Sequence, residues 1–169
     1  TGVYEVNQEM RDALMAAKEG AHACNLSALI ADDIAVMVNK EREEKGIAEK
    51  CRAFIADPPM ADEMLPEVKV GGIPEFTRRT LFHALNSRAM VRRYARSVGK
   101  SNKDVTVIVA HMGGGTSVSL HRNGLVIDVN DALGGDGPMS PERAGSVPAF
   151  PLVDLCFSGQ YSKAEIKKM

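Results

Sequence analysis

Two histidines, an arginine, an aspartate and a run of three glycines are the residues here whose types and spacing could handle a phosphate. The glycines Gly113, Gly114 and Gly115 stand between two strand-like runs, in IVAHMGGGTSVSL. Without Cβ atoms a backbone can approach a phosphate chain closely, and successive N–H groups can point at its oxygens. Thr116 and Ser117 follow directly, so the stretch reads as a phosphate cradle. On spacing alone it reads equally as a hairpin tip that glycines ease around a tight turn. His111 stands just before the glycines, at the end of an apolar run. There it is either a structural hydrogen-bonder or a donor facing bound phosphate.

The other candidates each carry two readings. Asp57 ends an apolar run and precedes two prolines, where an α/β sheet exposes ligand-facing groups and where turns also form. His83 lies within TLFHALN and reads as a helix residue at a boundary or as a catalytic group. Arg143, among small residues in SPERAGS, could reach a phosphoryl group with its planar fork, or could simply be a surface arginine. His22 and His121 make no metal-ligand spacing with nearby residues, and His121 is expected to face solvent.

The elements that must position these residues follow from periodicity. Asn7 is placed to cap a helix running to Gly20. A longer helix begins near Asn25, with Leu26, Leu29, Ile30, Ile34, Met37 and Val38 at helical spacing and Gly46 as its stop. Ala53, Phe54, Ile55 and Ala56 read as a buried strand, followed by a loop to about Phe76. A third helix is expected over 79–98, with Leu81, Leu85, Ala89 and Tyr94 on one side and arginines on the other. Gly99 to Asn102 is the candidate domain boundary, since the period changes after it. The run 105–110 is nearly all apolar, as a central strand is. Two alternating runs follow, joined by Asn123-Gly124, the strongest short-range hairpin signal. Residues 133–148 read as loop and 152–169 as helix in two pieces around Gly159. That order predicts an α/β architecture of two unequal lobes, residues 1–100 and 101–169.

Composition narrows the partners. Twenty-one Lys and Arg against 22 Asp and Glu leave a net charge of −1, which gives no electrostatic case for nucleic acid or an anionic membrane. Three cysteines without C-x-x-C spacing read as reduced thiols of a cytoplasmic protein. No apolar run approaches the roughly 18 residues that a membrane span needs.

Together these segments resemble one family. HMGGGTSVSLHRNGLVIDVNDALGGDGPMSPERAGSVP is similar to the middle of butyrate kinases, in the acetate kinase branch of the sugar-kinase, heat-shock-chaperone and actin superfamily. FIADPPMADEM, IPEFTRRTLFHALNSRAMVRRYA and EGAHACNLSALIA resemble the same family in the same order. The resemblance implies ribonuclease H-like (actin-like ATPase) lobes, truncated to the later part of the first lobe and the opening β-meander of the second. It implies transfer of the ATP γ-phosphoryl group to butyrate or a related short-chain carboxylic acid, reversibly and with Mg²⁺. His83 would then steady the transferring group and Arg143 would neutralise its charge. His111, Gly113, Gly114, Gly115 and Thr116 would meet the nucleotide phosphates. Asp57 would lie near the metal or the carboxylate.

The departures set further expectations. The family's opening strand with an Asn-x-Gly-Ser phosphate loop, an upstream arginine and the adenosine-binding region are not in these 169 residues. The isolated chain is therefore expected to be inactive, and a non-catalytic nucleotide-binding or interaction module is the alternative reading. Strands cut from a sheet expose unpaired edges, so a homo-oligomer, a dimer at least, is expected.

Overall fold

A computed structural model describes residues 2–17 and 23–169. His22, the expected helix end at Gly20 and the side chain of Cys24 lie outside the described residues. Two compact units result, Thr1–Pro58 and Pro59–Met169.

In the first unit, β1 (Val3–Glu5) pairs antiparallel with β2 (Phe54–Ala56). Helices α1 (Gln8–Ala16) and α2 (Ala23–Glu44) accompany them. Asn7 caps α1 as its side chain dictates, its Oδ1 accepting the Met10 N–H at 2.8 Å. The buried cluster is Val6, Ala28, Ala35 and Ala53, with Met10, Leu14, Ala31 and Ile55 against it. Small residues on α2 let the helix approach closely. Consequently Leu26, Ile30, Ile34 and Met37, expected to face a core, are exposed. Arg11 pins the helix pair instead, at 2.7 Å from Asp32 and 2.9 Å from Asp33. The strand expected at 53–56 forms, but Phe54 is half exposed because only one neighbour covers it.

The second unit is built on a three-stranded antiparallel sheet, β3 (Thr106–Met112), β4 (Thr116–Arg122) and β5 (Leu125–Val129), in that order. Asn123 and Gly124 take φ of 54° and 79°, the positive pair that a two-residue hairpin needs. The apolar run expected to be central is an edge: β3 pairs only with β4, and Ile108 and Met112 are exposed. Helix α3 (Ala84–Ser97) starts later than expected, with His83 at its N-cap. Before it the chain is extended, and Leu81 bridges to Asp131 in parallel register.

The face that α3 buries also differs from expectation. Ala84, Ser87, Arg88, Val91 and Ala95 point inward, whereas Leu85 and Tyr94 are exposed. Val91 and Ala95 pack with Val105, Val107 and Val109. Met64, Phe82, Ala84, Val126 and Val129 form a second cluster. Each fully buried valine there contributes roughly 1.5–3 kcal/mol. Arg88 is tolerated inside because Glu63 pairs with it, and the same carboxylate accepts the Val126 N–H at 2.9 Å.

His121 is a correction. It is 2% exposed, not solvent-facing, with Nε2 2.9 Å from Ser119 Oγ. Burial, reinforced by Arg88, pushes its pKa down to about 4 against an opposing effect of Glu63. The inner face of β4 is the polar one, with Ser117, Ser119 and His121 all buried. A long loop then leads to α4 (Ala149–Phe157) and α5 (Lys163–Lys168), the two expected pieces, with Gly159 at φ 73° between them. Among the described residues no helix is long and apolar enough to cross a membrane.

Candidate active site

The hairpin register decides what faces what. Met112 pairs with Thr116 across the three glycines, so His111 pairs with Ser117. Both side chains lie on the face that α3 covers. His83, at the start of α3, lies directly over this pair: its ring stacks on that of His111 with centroids 3.7 Å apart and planes 5° apart. Ser117 Oγ is 2.9 Å from His83 Nδ1, and Asn86 Nδ2 is 2.9 Å from His111 Nδ1.

Arg143 arrives from the loop between β5 and α4. Asn130 ties the root of that loop to β4: its Oδ1 accepts the Val118 N–H at 2.7 Å, and its amide donates to the Thr116 and Asp136 carbonyls. Asp131 Oδ1 accepts the N–H groups of Leu133 and Gly134. Further along, the Ser140 N–H donates to the Arg143 carbonyl at 2.9 Å and the Glu142 N–H to the Gly114 carbonyl at 3.3 Å. The loop is thereby clamped with Glu142 and Arg143 against the glycine turn.

The three glycines serve access rather than turn geometry. None of them has positive φ. A Cβ on Gly115 would stand 2.9 Å from Arg143 Nη1 and 3.5 Å from the His83 ring. On Gly113 it would stand 3.4 Å from His111 Nε2, and on Gly114 2.6 Å from Glu142 Oε1. Side chains here would cover the two imidazole edges and the guanidinium that converge on the turn.

Electrostatics sharpen the picture. Burial lowers the His83 pKa, and the nearby His111 and then Arg143 lower it further. Burial and these neighbours therefore favour the neutral form of His83. Two charged rings at this separation would repel by about 4 kcal/mol at an effective dielectric of about 20. Arg143 supplies the permanent positive charge, partly offset by Glu142 at 3.6 Å. A guanidinium, polar imidazole edges and an uncovered backbone together favour an anion with several oxygens.

Each residue singled out in the sequence has a definite place. His83, His111, Gly113, Gly114, Gly115 and Arg143 come together, and Thr116 opens β4 beside them. Asp57 belongs to the first unit, after β2, with φ 45° and its N–H donating to the Gly2 carbonyl at 2.8 Å. Asn86, Asn130 and Glu142 were missed as site residues, and Ser117 was read only as part of the phosphate cradle, not as the partner of His83. Ser117 could have been found by counting back from the glycines, since a three-residue turn pairs 111 with 117. Among the described residues no three His, Cys, Asp or Glu side chains group so as to hold a metal ion.

The sequence pattern of the acetokinase family matches residues 73–150, which hold every member of this cluster. Those residues are similar to the acetokinase family. Over 168 residues the chain is 51% identical to a probable butyrate kinase of Phocaeicola vulgatus, covering 99% of this chain and 44% of that protein. Butyrate kinase 2 of Clostridium acetobutylicum is 47% identical over 167 residues, again 99% and 44%. The chain thus spans less than half the length of these butyrate kinase relatives. Among solved acetokinase-type structures, Porphyromonas gingivalis acetate kinase superimposes with a TM-score of 0.71 at 21% identity, covering 98% of this chain and 41% of that one. A propionate kinase from Francisella tularensis gives 0.64 at 17% identity, covering 99% and 43%. The actin-like ATPase fold expected from the sequence is therefore the fold observed, over about two-fifths of such a protein.

Proposed function

We propose that this chain is part of a carboxylate kinase, transferring the ATP γ-phosphoryl group to butyrate or a related short-chain fatty acid to give an acyl phosphate. The observation that carries the proposal is the convergence of Arg143, His83 and His111 on a turn kept bare by Gly113, Gly114 and Gly115. Phosphoryl transfer asks a protein mainly for positioning and for compensation of negative charge. Arg143 provides a fixed cation and a bidentate fork. His83 and His111 provide ring edges that can hydrogen-bond phosphate oxygens. Thr116 and the glycine backbone line the phosphate side.

Mg²⁺, when bound with the nucleotide, would neutralise charge on its phosphates. No dedicated protein cage is needed for that, since such an ion is held largely by phosphates and water. The resemblance alone assigns Asp57, in the first unit, a role toward the metal or the carboxylate. In this proposal residues 1–100 are the later part of an N-terminal lobe, and 101–169 open the C-terminal lobe. The protein is cytoplasmic and works as a dimer. The 169-residue chain alone turns over little ATP, because the likeness covers less than half of each relative.

The test pairs binding with turnover. ATP binding to this chain is measured by calorimetry. Butyrate-dependent acyl phosphate is trapped as hydroxamate with the chain and with a polypeptide extended to the length of the relatives. Binding by the chain with turnover only in the longer protein is expected. Binding without acyl phosphate in either would replace the kinase by a non-catalytic nucleotide-binding module.

A further inference from the structure

Each imidazole of the stacked pair has one nitrogen engaged by the fold and the other turned to the glycine turn. Asn86 lies one helical turn beyond His83 and places its Nδ2 2.9 Å from His111 Nδ1. An amide NH₂ can only donate, so His111 Nδ1 is the acceptor and the ring's own proton sits on Nε2. Ser117, fully buried, places its Oγ 2.9 Å from His83 Nδ1 and also accepts the His83 backbone N–H at 3.5 Å. With the backbone N–H on one acceptor position of Oγ, the hydroxyl is placed to donate to Nδ1, the arrangement that puts the His83 proton on Nε2. The free edges adjoin the turn: a Cβ on Gly113 would lie 3.4 Å from His111 Nε2, and one on Gly115 3.6 Å from His83 Nε2.

We infer that Asn86 and Ser117 are positioning residues that hold the neutral form of each imidazole in the Nε2–H tautomer, so that two ring N–H donors face an oxyanion at the Gly113–Gly115 turn. With the opposite tautomer each Nε2 would present a lone pair to the anion and repel it. The charged groups facing the pair are Arg143, which favours the anion, and Glu142, which opposes it. The inference rests on the proposed kinase only for the nature of the anion, because the tautomers exist whatever binds.

The experiment is long-range ¹⁵N–¹H correlation spectroscopy of the uniformly labelled 169-residue chain at pH 8, with signals assigned by single replacement of each histidine. His83 and His111 are expected to show protonated Nε2 and bare Nδ1. Asn86→Asp keeps the shape but supplies only acceptors, so the His111 proton moves to Nδ1 while His83 is unchanged. Because Asn86 is exposed, this variant tests the inference without threatening the core; Ser117→Ala is the second variant, read at His83. Inorganic phosphate is then titrated into each sample, and Asn86→Asp is expected to weaken the phosphate-induced shifts of His111 at least fivefold. Nδ1-protonated rings in the parent, or an unchanged tautomer in Asn86→Asp, would overturn the inference. Correct tautomers with no response to phosphate would leave it standing and count against the phosphate site instead.

Discussion

Replacing His121 by glutamine should flatten the acid sensitivity of the second unit. The ring is 2% exposed and its pKa is pushed down from 6.5 to about 4, first by burial and then by Arg88. Unfolding returns it to water, where it titrates near 6.5. Between these two values the unfolded chain binds the extra proton, so the neutral ring's contribution is intact above about pH 6.5 and is lost as pH falls toward 4. At about 1.4 kcal/mol per pH unit, the whole interval is worth about 3 kcal/mol. Glutamine keeps an amide for Ser119 and does not titrate. Urea unfolding followed by circular dichroism, at pH 7.5 and 4.5 for both proteins, isolates this contribution, because every other titrating group is common to the pair. The parent should lose about 2–3 kcal/mol more than His121→Gln between those pH values. Parallel losses would refute the reasoning, and so would a greater loss in the variant.

Gly115→Ala puts a methyl group 2.9 Å from Arg143 Nη1 and should weaken phosphate binding about tenfold, or about 1.4 kcal/mol, by calorimetry. The thermal midpoint should barely move, since the displaced guanidinium is at the surface of the cluster. Glu142→Gln removes a carboxylate that lies over Gly114 and beside Arg143, so phosphate affinity should rise several-fold at low salt and less at high salt. A fall in affinity would mean that Glu142 serves the anion through Arg143 instead of opposing it. Ile108→Lys puts a charge on the exposed edge strand β3, which carries none in Thr106–Met112. Sedimentation velocity should show the parent associating with concentration and the variant remaining monomeric.

Much of the site is legible in the sequence, because it rests on local rules. The Asn-Gly pair fixes a two-residue turn through its positive φ angles, and the hairpin register follows. His111, the glycines and Arg143 could be named from their types, and they do converge. The faces were less legible. Leu26, Ile30, Ile34 and Met37 make a helical stripe that any periodicity rule sends inward, yet the alanines of α2 are what the adjoining strands and α1 accommodate. Arg88 and His121 are polar residues that the same rule sends to water, yet Glu63 and Ser119 satisfy them inside.

The sequence by itself determined the elements, the turn chemistry and the set of residues able to meet a phosphate, since all of these depend on neighbours within a few positions. Only the tertiary structure decided that His83 stacks on His111, that Ser117 and Asn86 each take one imidazole nitrogen, and that the glycines keep the other edges uncovered. Those contacts join residues 25 to 34 positions apart. They depend on how α3 lies across the sheet, and the packing of small side chains beneath it sets that geometry where no local propensity can.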